Sequence, residues 1–138
     1  MIGAGRLAEA SGEHRLSIID EDHLERMTLG DQSLEREVLE IFARQAMLTL
    51  ERLADAGPAR AAAAAHTLKG SARGVGAWRV ASAAERLEQA AAEGSNDAIA
   101  EALAKLEAAS IEVREAIGLR LGSRSKDTDA FELVSGDH

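Results

Sequence analysis

The sequence predicts an all-α protein, an antiparallel up-down four-helix bundle with a short extra N-terminal helix. Apolar residues recur at three- and four-residue steps in several segments, as on one face of an α-helix. Alanine dominates the 46% of hydrophobic residues and aromatic residues make up only 2%, a composition too poor in β-branched and aromatic side chains for a sheet. Short breaks separate four long segments, and long helices with short connections pack as antiparallel neighbours.

The first predicted helix is short, spans residues 20–29 and begins at Asp20, a preferred N-cap residue. A second, long helix begins at Asp31 or Ser33 and ends before the pair Gly57-Pro58. Its predicted core-facing stripe consists of residues three or four positions apart: Leu34, Val38, Ile41, Phe42, Gln45, Leu48 and Leu53.

Three further helices are predicted from the same signals. The third begins at Pro58, because proline suits the first turn of a helix, and ends near residues 73–75. The fourth spans about residues 78–93, and a Gly-Ser-Asn break follows it, so that Ser95 or Asn96 caps the last helix. The apolar stripe of the last helix is Ile99, Leu103, Leu106, Val113 and Ile117.

The predicted bundle occupies residues 18–119 of the 138 residues, a length that suits one domain with a modest core. Residues 1–17 contain glycines and mixed charge without periodicity, and we predict a flexible N-terminal arm. In residues 120–138 glycine, serine and charged residues crowd together and the apolar pattern disappears, which predicts a disordered C-terminal tail.

Composition argues against several classes of protein. A net charge of −8 disfavours a nucleic-acid binder, which carries a basic patch. The absence of cysteine excludes disulfides and thiol chemistry. No run approaches the roughly 18 apolar residues of a membrane span, and the N-terminus lacks the apolar stretch of a signal peptide. We therefore expect a protein of the cytoplasm that contacts no membrane.

Known motifs for metal and nucleotide binding are also missing. None of the four histidines belongs to a Glu-x-x-His or His-Glu-x-x-His pair, so we predict no metal site. The glycines at 70, 74 and 76 do not follow a strand, and phosphate-binding loops require that context. We therefore predict no cofactor and no ability to take phosphate from ATP.

The third helix carries a polar stripe that suggests chemistry. His66, Lys69, Gly70 and Arg73 lie three or four residues apart and share one face. The opposite face is apolar: Ala61, Ala65, Leu68, Ala72 and Val75. An imidazole that faces water beside two cations suits a nucleophile that receives an anionic group. Gly70 costs roughly 1 kcal/mol relative to alanine, which suggests close approach of another molecule. The competing interpretation is an idle surface histidine beside an incidental glycine.

The run around this histidine resembles the signature of the histidine phosphotransfer (HPt) domain. That signature reads His-x-Leu-Lys-Gly followed by a glycine six residues on, and His66, Leu68, Lys69, Gly70 and Gly76 match it at every position. The run Val80-Ala81-Ser82-Ala83-Ala84-Glu85-Arg86-Leu87-Glu88 is also similar to the family. A departure is glycine at position 74, where the family often has a polar residue such as asparagine.

The resemblance implies a four-helix bundle and a role for each matching residue. His66 would be phosphorylated, and Lys69 would stabilise the phosphoryl group. Gly70 would leave room for a receiver domain to dock, with Arg73 extending the positive field of that surface. Gly76 would form the structural turn.

Glu88 joins this site by an argument from helix lengths. If the chain turns at residues 74–77 and returns antiparallel, His66 lies about 8 residues before the turn and Glu88 about 11 after it, roughly 12 to 16 Å each. The two side chains then lie at similar heights, where the carboxylate accepts the imidazole Nδ1–H and leaves Nε2 free. In many HPt proteins Gln or Glu here orients the ring. The alternative is a solvated charge that pairs with a nearby arginine.

We therefore expect a monomeric phosphocarrier of a multistep two-component phosphorelay. It would move a phosphoryl group between aspartates of receiver domains, those of response regulators and of a hybrid histidine kinase. Two alternatives remain. One is a helical adaptor that docks a kinase or response regulator without carrying phosphate. The other is a plain structural bundle, which leaves the Lys-Gly pair beside an outward histidine unexplained.

Overall fold

The computed structural model describes residues 18–136, with side chains described for residues 18–122. This part of the chain contains five helices and no strand: α1 (Glu21–Thr28), α2 (Gln32–Leu53), α3 (Pro58–Val75), α4 (Trp78–Glu93) and α5 (Asn96–Gly136). The predicted arm, residues 1–17, lies outside the described residues. The described helices include none that is both long enough and apolar enough to cross a membrane.

The helices pack around one shared core. α2 packs against α3 and α5, and α4 packs against the same two helices. α3 and α5 therefore lie diagonally across the core from each other, while α1 packs against α2 and α3. The predicted all-α fold class is confirmed.

Polar side chains begin three of the helices where the sequence predicts. Asp20, Asp31 and Ser95 each accept a hydrogen bond from the backbone N–H three residues later, at 3.1, 3.0 and 3.2 Å. These bonds satisfy donors that the first turn of a helix leaves without partners. Of the alternatives left open by the sequence, Asp31 and Ser95 are the N-terminal caps.

The core is built largely from alanine, so the helices approach closely. The predicted core face of α3 is confirmed, since all five of its residues are at most 8% exposed: Ala61, Ala65, Leu68, Ala72 and Val75. Leu106, Val113 and Ile117 of α5 are buried against them. α3 is thereby fixed in rotation, and its polar stripe lies on the opposite side.

The predicted core stripe of α2 is wrong in part. Leu34, Ile41 and Leu48 are 40%, 51% and 41% exposed. Phe42 and Leu53 are buried as predicted, and the other buried side chains of α2 are Glu35, Leu39, Ala46 and Thr49. α2 has two adjacent apolar stripes, and the exposed one repeats every seven residues. Helical spacing of apolar residues does not distinguish two adjacent stripes on one helix. Only one of the two stripes packs against α3 and α5.

The last helix continues beyond residue 119, the last residue of the predicted bundle. No proline interrupts the chain after Gly118, and a helical glycine costs only about 1 kcal/mol. The Arg120 guanidinium donates to the carboxylates of Glu21 and Glu35, the latter at 2.8 Å. The backbone of α5 is helical to Gly136, and side chains beyond residue 122 lie outside the described part. The boundary between bundle and tail at residue 120 stays a prediction.

A close contact at Gly76 joins α1 to the turn between α3 and α4. The Asp20 N–H donates to the Gly76 carbonyl at 2.9 Å, and the Trp78 indole donates to the Asp20 carboxylate at 2.8 Å. Gly76 has a φ of 81°, which favours glycine. A Cβ at this position would lie 3.0 Å from the Cβ of Asp20 and 3.1 Å from its carbonyl oxygen. The turn therefore requires glycine for two independent reasons.

We expect Gly76→Ala to lower the free energy of unfolding by about 2 kcal/mol, from the strained φ together with the contact to Asp20. Urea unfolding followed by circular dichroism measures the change. Gly74→Ala is the matched control, because a Cβ there meets no heavy atom within 4 Å, and alanine favours the helix by up to about 1 kcal/mol. Equal stabilities of the two variants would contradict this account of the turn.

Candidate functional site

His66 lies in the middle of α3 with its ring directed outward. The side chain is 67% exposed, while Ala65 and Leu68 on either side of it are fully buried. Burial of these neighbours leaves the imidazole at the surface near α4. A ring in this position is accessible to a second protein.

Glu88 of α4 contacts the ring and Lys69 at the same time. One carboxylate oxygen lies 2.9 Å from the Nδ1 atom of His66, and the other lies 2.7 Å from the Nζ atom of Lys69. The hydrogen bond from Lys69, followed by that from His66, lowers the pKa of Glu88, so its carboxylate is ionised at neutral pH. An ionised carboxylate only accepts hydrogen bonds. In the neutral ring the contact therefore places the proton on Nδ1 and leaves the lone pair on Nε2.

Lys69 is less exposed than a residue on an outward stripe would be. Its side chain is 15% exposed and lies against α4, where the ammonium is paired with Glu88. The contacts with His66 and Lys69 occupy both oxygens of Glu88. Its ion-pair partner is therefore a lysine, whereas the alternative interpretation expected a nearby arginine. The sequence indicated the height of Glu88 but gave no sign of its contact with Lys69.

The outer edge of the site contains Gly70 and Arg73. Gly70 is exposed, and a Cβ built there would meet no atom within 4 Å. Arg73 is half exposed, and its guanidinium lies 3.5 Å from the carboxylate of Glu85 on α4. Gly70 thus leaves an open surface one turn from the ring, whereas Arg73 is engaged with α4.

Sequence reasoning missed a groove beside the histidine. The groove lies between α2 and α3 and has a volume of about 510 Å³; Ile41, Arg44, Gln45, Leu48, Thr49, Arg52, Ala63, Ala64 and Thr67 line it. Ala63 and Thr67 are, respectively, one turn before His66 and directly after it. A sequence signal for this groove was the seven-residue spacing of Leu34, Ile41 and Leu48. These residues form a second apolar stripe on α2, separate from its buried residues.

The last feature of the site is the set of ionisable side chains around the ring. Within residues 18–122 no group of three or more His, Cys, Asp or Glu side chains is arranged to hold a metal ion. The charged contacts at the site involve His66, Lys69 and Glu88, with Arg73 and Glu85 one turn away. The arrangement is suited to a nucleophilic ring whose reaction partner is anionic.

Comparison with known proteins identifies the fold and the family. The fold is similar to the X-ray structure of a rice protein assigned as a histidine-containing phosphotransfer protein, with a TM-score of 0.73 and 21% sequence identity over 87% of this chain and 91% of the rice chain. No curated protein is significantly similar in sequence. The sequence profile of the Hpt domain matches residues 37–116, which include the histidine and both of its charged neighbours. Since the match covers more than half of the chain, this protein belongs to the Hpt domain family.

Proposed function

We propose that this chain accepts a phosphoryl group on the Nε2 atom of His66 from an aspartate of one receiver domain and delivers it to an aspartate of another. The observation that carries the proposal is the contact of Glu88 with Nδ1 at 2.9 Å, which leaves Nε2 as the exposed nucleophile. Family membership supports a phosphorelay role, since Hpt proteins carry phosphate and are not kinases. The proposed partners are receiver domains of response regulators and of a hybrid histidine kinase.

Lys69 supplies the charge that the reaction requires. Phosphoryl transfer depends on positioning and on electrostatic stabilisation of the phosphoryl oxygens. Its ammonium lies near the ring because both side chains contact Glu88, so its positive charge would act on a phosphoryl group at Nε2. The receiver would supply its own divalent metal and acidic pocket, and the chain would act as a monomer in the cytoplasm without a cofactor.

The proposal includes an arrangement of helices and domains. The four long helices α2–α5 would form an antiparallel up-down bundle, with α1 as the extra N-terminal helix. Short connections between successive helices support this arrangement. Residues 1–17 would form a flexible arm that takes no part in the site.

We assign the groove between α2 and α3 to the receiver, together with the open surface at Gly70. Ile41 and Leu48 offer exposed apolar area beside the histidine, and apolar surface at the centre of an interface provides much of the binding energy. Arg44 and Arg52 line the same groove, are exposed, and form no ion pair within residues 18–122. Two unpaired cations in a chain of net charge −8 suit a partner with acidic residues around an apolar centre.

We expect Ile41→Asp to raise the KM for a phosphorylated receiver about tenfold or more, because a carboxylate replaces apolar contact area. Initial transfer rates over a range of receiver concentrations measure this. Ile111→Asp is the matched control. Ile111 is 50% exposed, like Ile41 at 51%, but it lies on α5, across the core from α3. If both variants have the same KM, the receiver does not dock in this groove.

The test of the function is loading of the purified chain by receiver domains phosphorylated with acetyl phosphate. Acid-labile, base-stable phosphate should appear on the native chain and map to His66. A second, unphosphorylated receiver should then remove it. Tight binding of a receiver without any transfer would favour the adaptor alternative instead.

A further inference from the structure

The contact between His66 and Glu88 has a consequence for the phosphorylated state as well as for the free one. We propose that Glu88 keeps the Nδ1 proton on the ring throughout the transfer cycle, so that the phosphorylated imidazole stays cationic and reactive across neutral and mildly alkaline pH. Glu88 is then a positioning residue that acts through the ring. This inference rests on the proposed function, in that His66 is the residue phosphorylated.

The proposal starts from how the two oxygens of Glu88 are used. One accepts from Nδ1 of His66 at 2.9 Å, and the other accepts from Lys69 at 2.7 Å. The side chain is 28% exposed, and both donors fix its orientation. Phosphorylation at Nε2 occurs on the far side of the ring and leaves the contact at Nδ1 in place.

Both transfer steps balance without movement of this proton. In uptake, the Nε2 lone pair attacks phosphorus, the N–P bond forms, and the acyl phosphate P–O bond breaks with its electron pair on the donor aspartate. The ring then carries phosphorus on Nε2, hydrogen on Nδ1 and a positive charge. In delivery, a carboxylate oxygen of the second aspartate attacks phosphorus, and the N–P electron pair returns to Nε2. The neutral ring is released with its proton still on Nδ1, ready for another cycle.

Loss of the Nδ1 proton would impair delivery. From a deprotonated ring the leaving group is an imidazolate anion, which departs far less readily than neutral imidazole. A hydrogen bond between oppositely charged groups is stronger than one between neutral groups, so the carboxylate favours the cationic phosphorylated ring over its deprotonated form.

The other charges around the ring favour loss of the proton. Lys69 lies on the same helix, and Arg73 follows one turn later, paired with Glu85 of α4. On the α2 side, Arg44 and Arg52 line the adjoining groove. Among the described residues, Glu88 provides the only carboxylate in hydrogen-bond contact with the ring. One carboxylate of α4 therefore opposes cations that lie on α3 itself and on α2.

The experiment loads the full chain chemically with phosphoramidate, which phosphorylates histidine without a receiver. After removal of the reagent, ³¹P NMR follows hydrolysis of phosphohistidine between pH 6 and pH 9.5. The signal from His66 is identified by its absence in His66→Gln. Hydrolysis, like transfer, expels the ring as leaving group and proceeds through the protonated form.

The test variant is Glu88→Gln, which keeps the size of the side chain and removes its charge. As the pH is raised, we expect the hydrolysis rate of the native chain to stay constant up to a higher pH than that of the variant. At pH 8.5 the variant should hydrolyse about tenfold more slowly, equivalent to a shift of about one pH unit. Glu85→Gln is the matched control: it removes a carboxylate from α4 that contacts Arg73 and not the ring, and it should follow the native pH profile.

A native pH profile for Glu88→Gln would overturn the inference, as would a slowing of equal size at every pH, which would indicate a role in ring orientation alone. Because chemical loading requires no partner, the result is independent of the relay. A shifted profile in a chain that no receiver loads would support the inference while contradicting the proposed function.

Discussion

His66→Gln should reduce phosphate uptake from a phosphorylated receiver to background while the receiver continues to bind. Glutamine keeps a polar side chain of similar reach but has no lone pair on a basic nitrogen, so it cannot form the N–P bond. Acid-labile phosphate measures uptake, and calorimetric titration with the unphosphorylated receiver measures binding. This substitution has the largest expected effect, because it removes the only atom to which the phosphoryl group is proposed to bond.

The fold should tolerate this change, because the His66 side chain is 67% exposed. Thermal unfolding close to that of the native chain is the control. If the variant still acquires acid-labile phosphate, the nucleophile is another residue. If it loses receiver binding as well, the ring contributes to docking, and loss of uptake alone no longer identifies the nucleophile.

Lys69→Ala should slow transfer to and from His66 alike, by about 10²-fold. A charge that stabilises a transition state shared by the forward and reverse reactions accelerates both. Single-turnover rates with a phosphorylated donor receiver and an unphosphorylated acceptor receiver measure the two directions. Lys105→Ala is the matched control, since it removes an exposed lysine from α5, across the core from α3.

The structure adds a condition to that experiment. Lys69 is 15% exposed and paired with Glu88, so its removal also frees one oxygen of the carboxylate that holds the ring. The free energy of unfolding of Lys69→Ala should therefore be measured beside its rates. Transfer at the native rate in both directions would show that Lys69 does not stabilise the phosphoryl group.

Much of the fold follows from local sequence signals. α4 spans Trp78–Glu93, and α3 begins at Pro58, as predicted, because glycine, proline and capping residues act within a few positions of where they lie. The core face of α3 was equally predictable, since its buried residues recur three or four positions apart along the sequence. These features require no knowledge of neighbouring helices.

What could not be predicted depends on how one helix is rotated against another. Ile41 and Leu48 were assigned to the core because their spacing fits a helix, although the packing of α2 places Leu39 and Ala46 there instead. The same limit applies to Lys69. Its position in the sequence gives its face on α3 but not its contact with α4. The height of Glu88 was predictable because rise per residue is constant in a helix.

The two flanks of α3 differ in chemistry, and this asymmetry bears on how such proteins diversify after gene duplication. α2 contributes exposed apolar residues and two arginines without an ion-pair partner among residues 18–122, whereas α4 contributes the carboxylate that contacts the ring. If receivers dock as proposed, substitutions on the surface of α2 would alter partner preference without displacing Glu88 or His66. Two copies of the gene would then acquire separate partners while both retain the same histidine site. The surface of α2 is where paralogues that avoid cross-talk are expected to differ most.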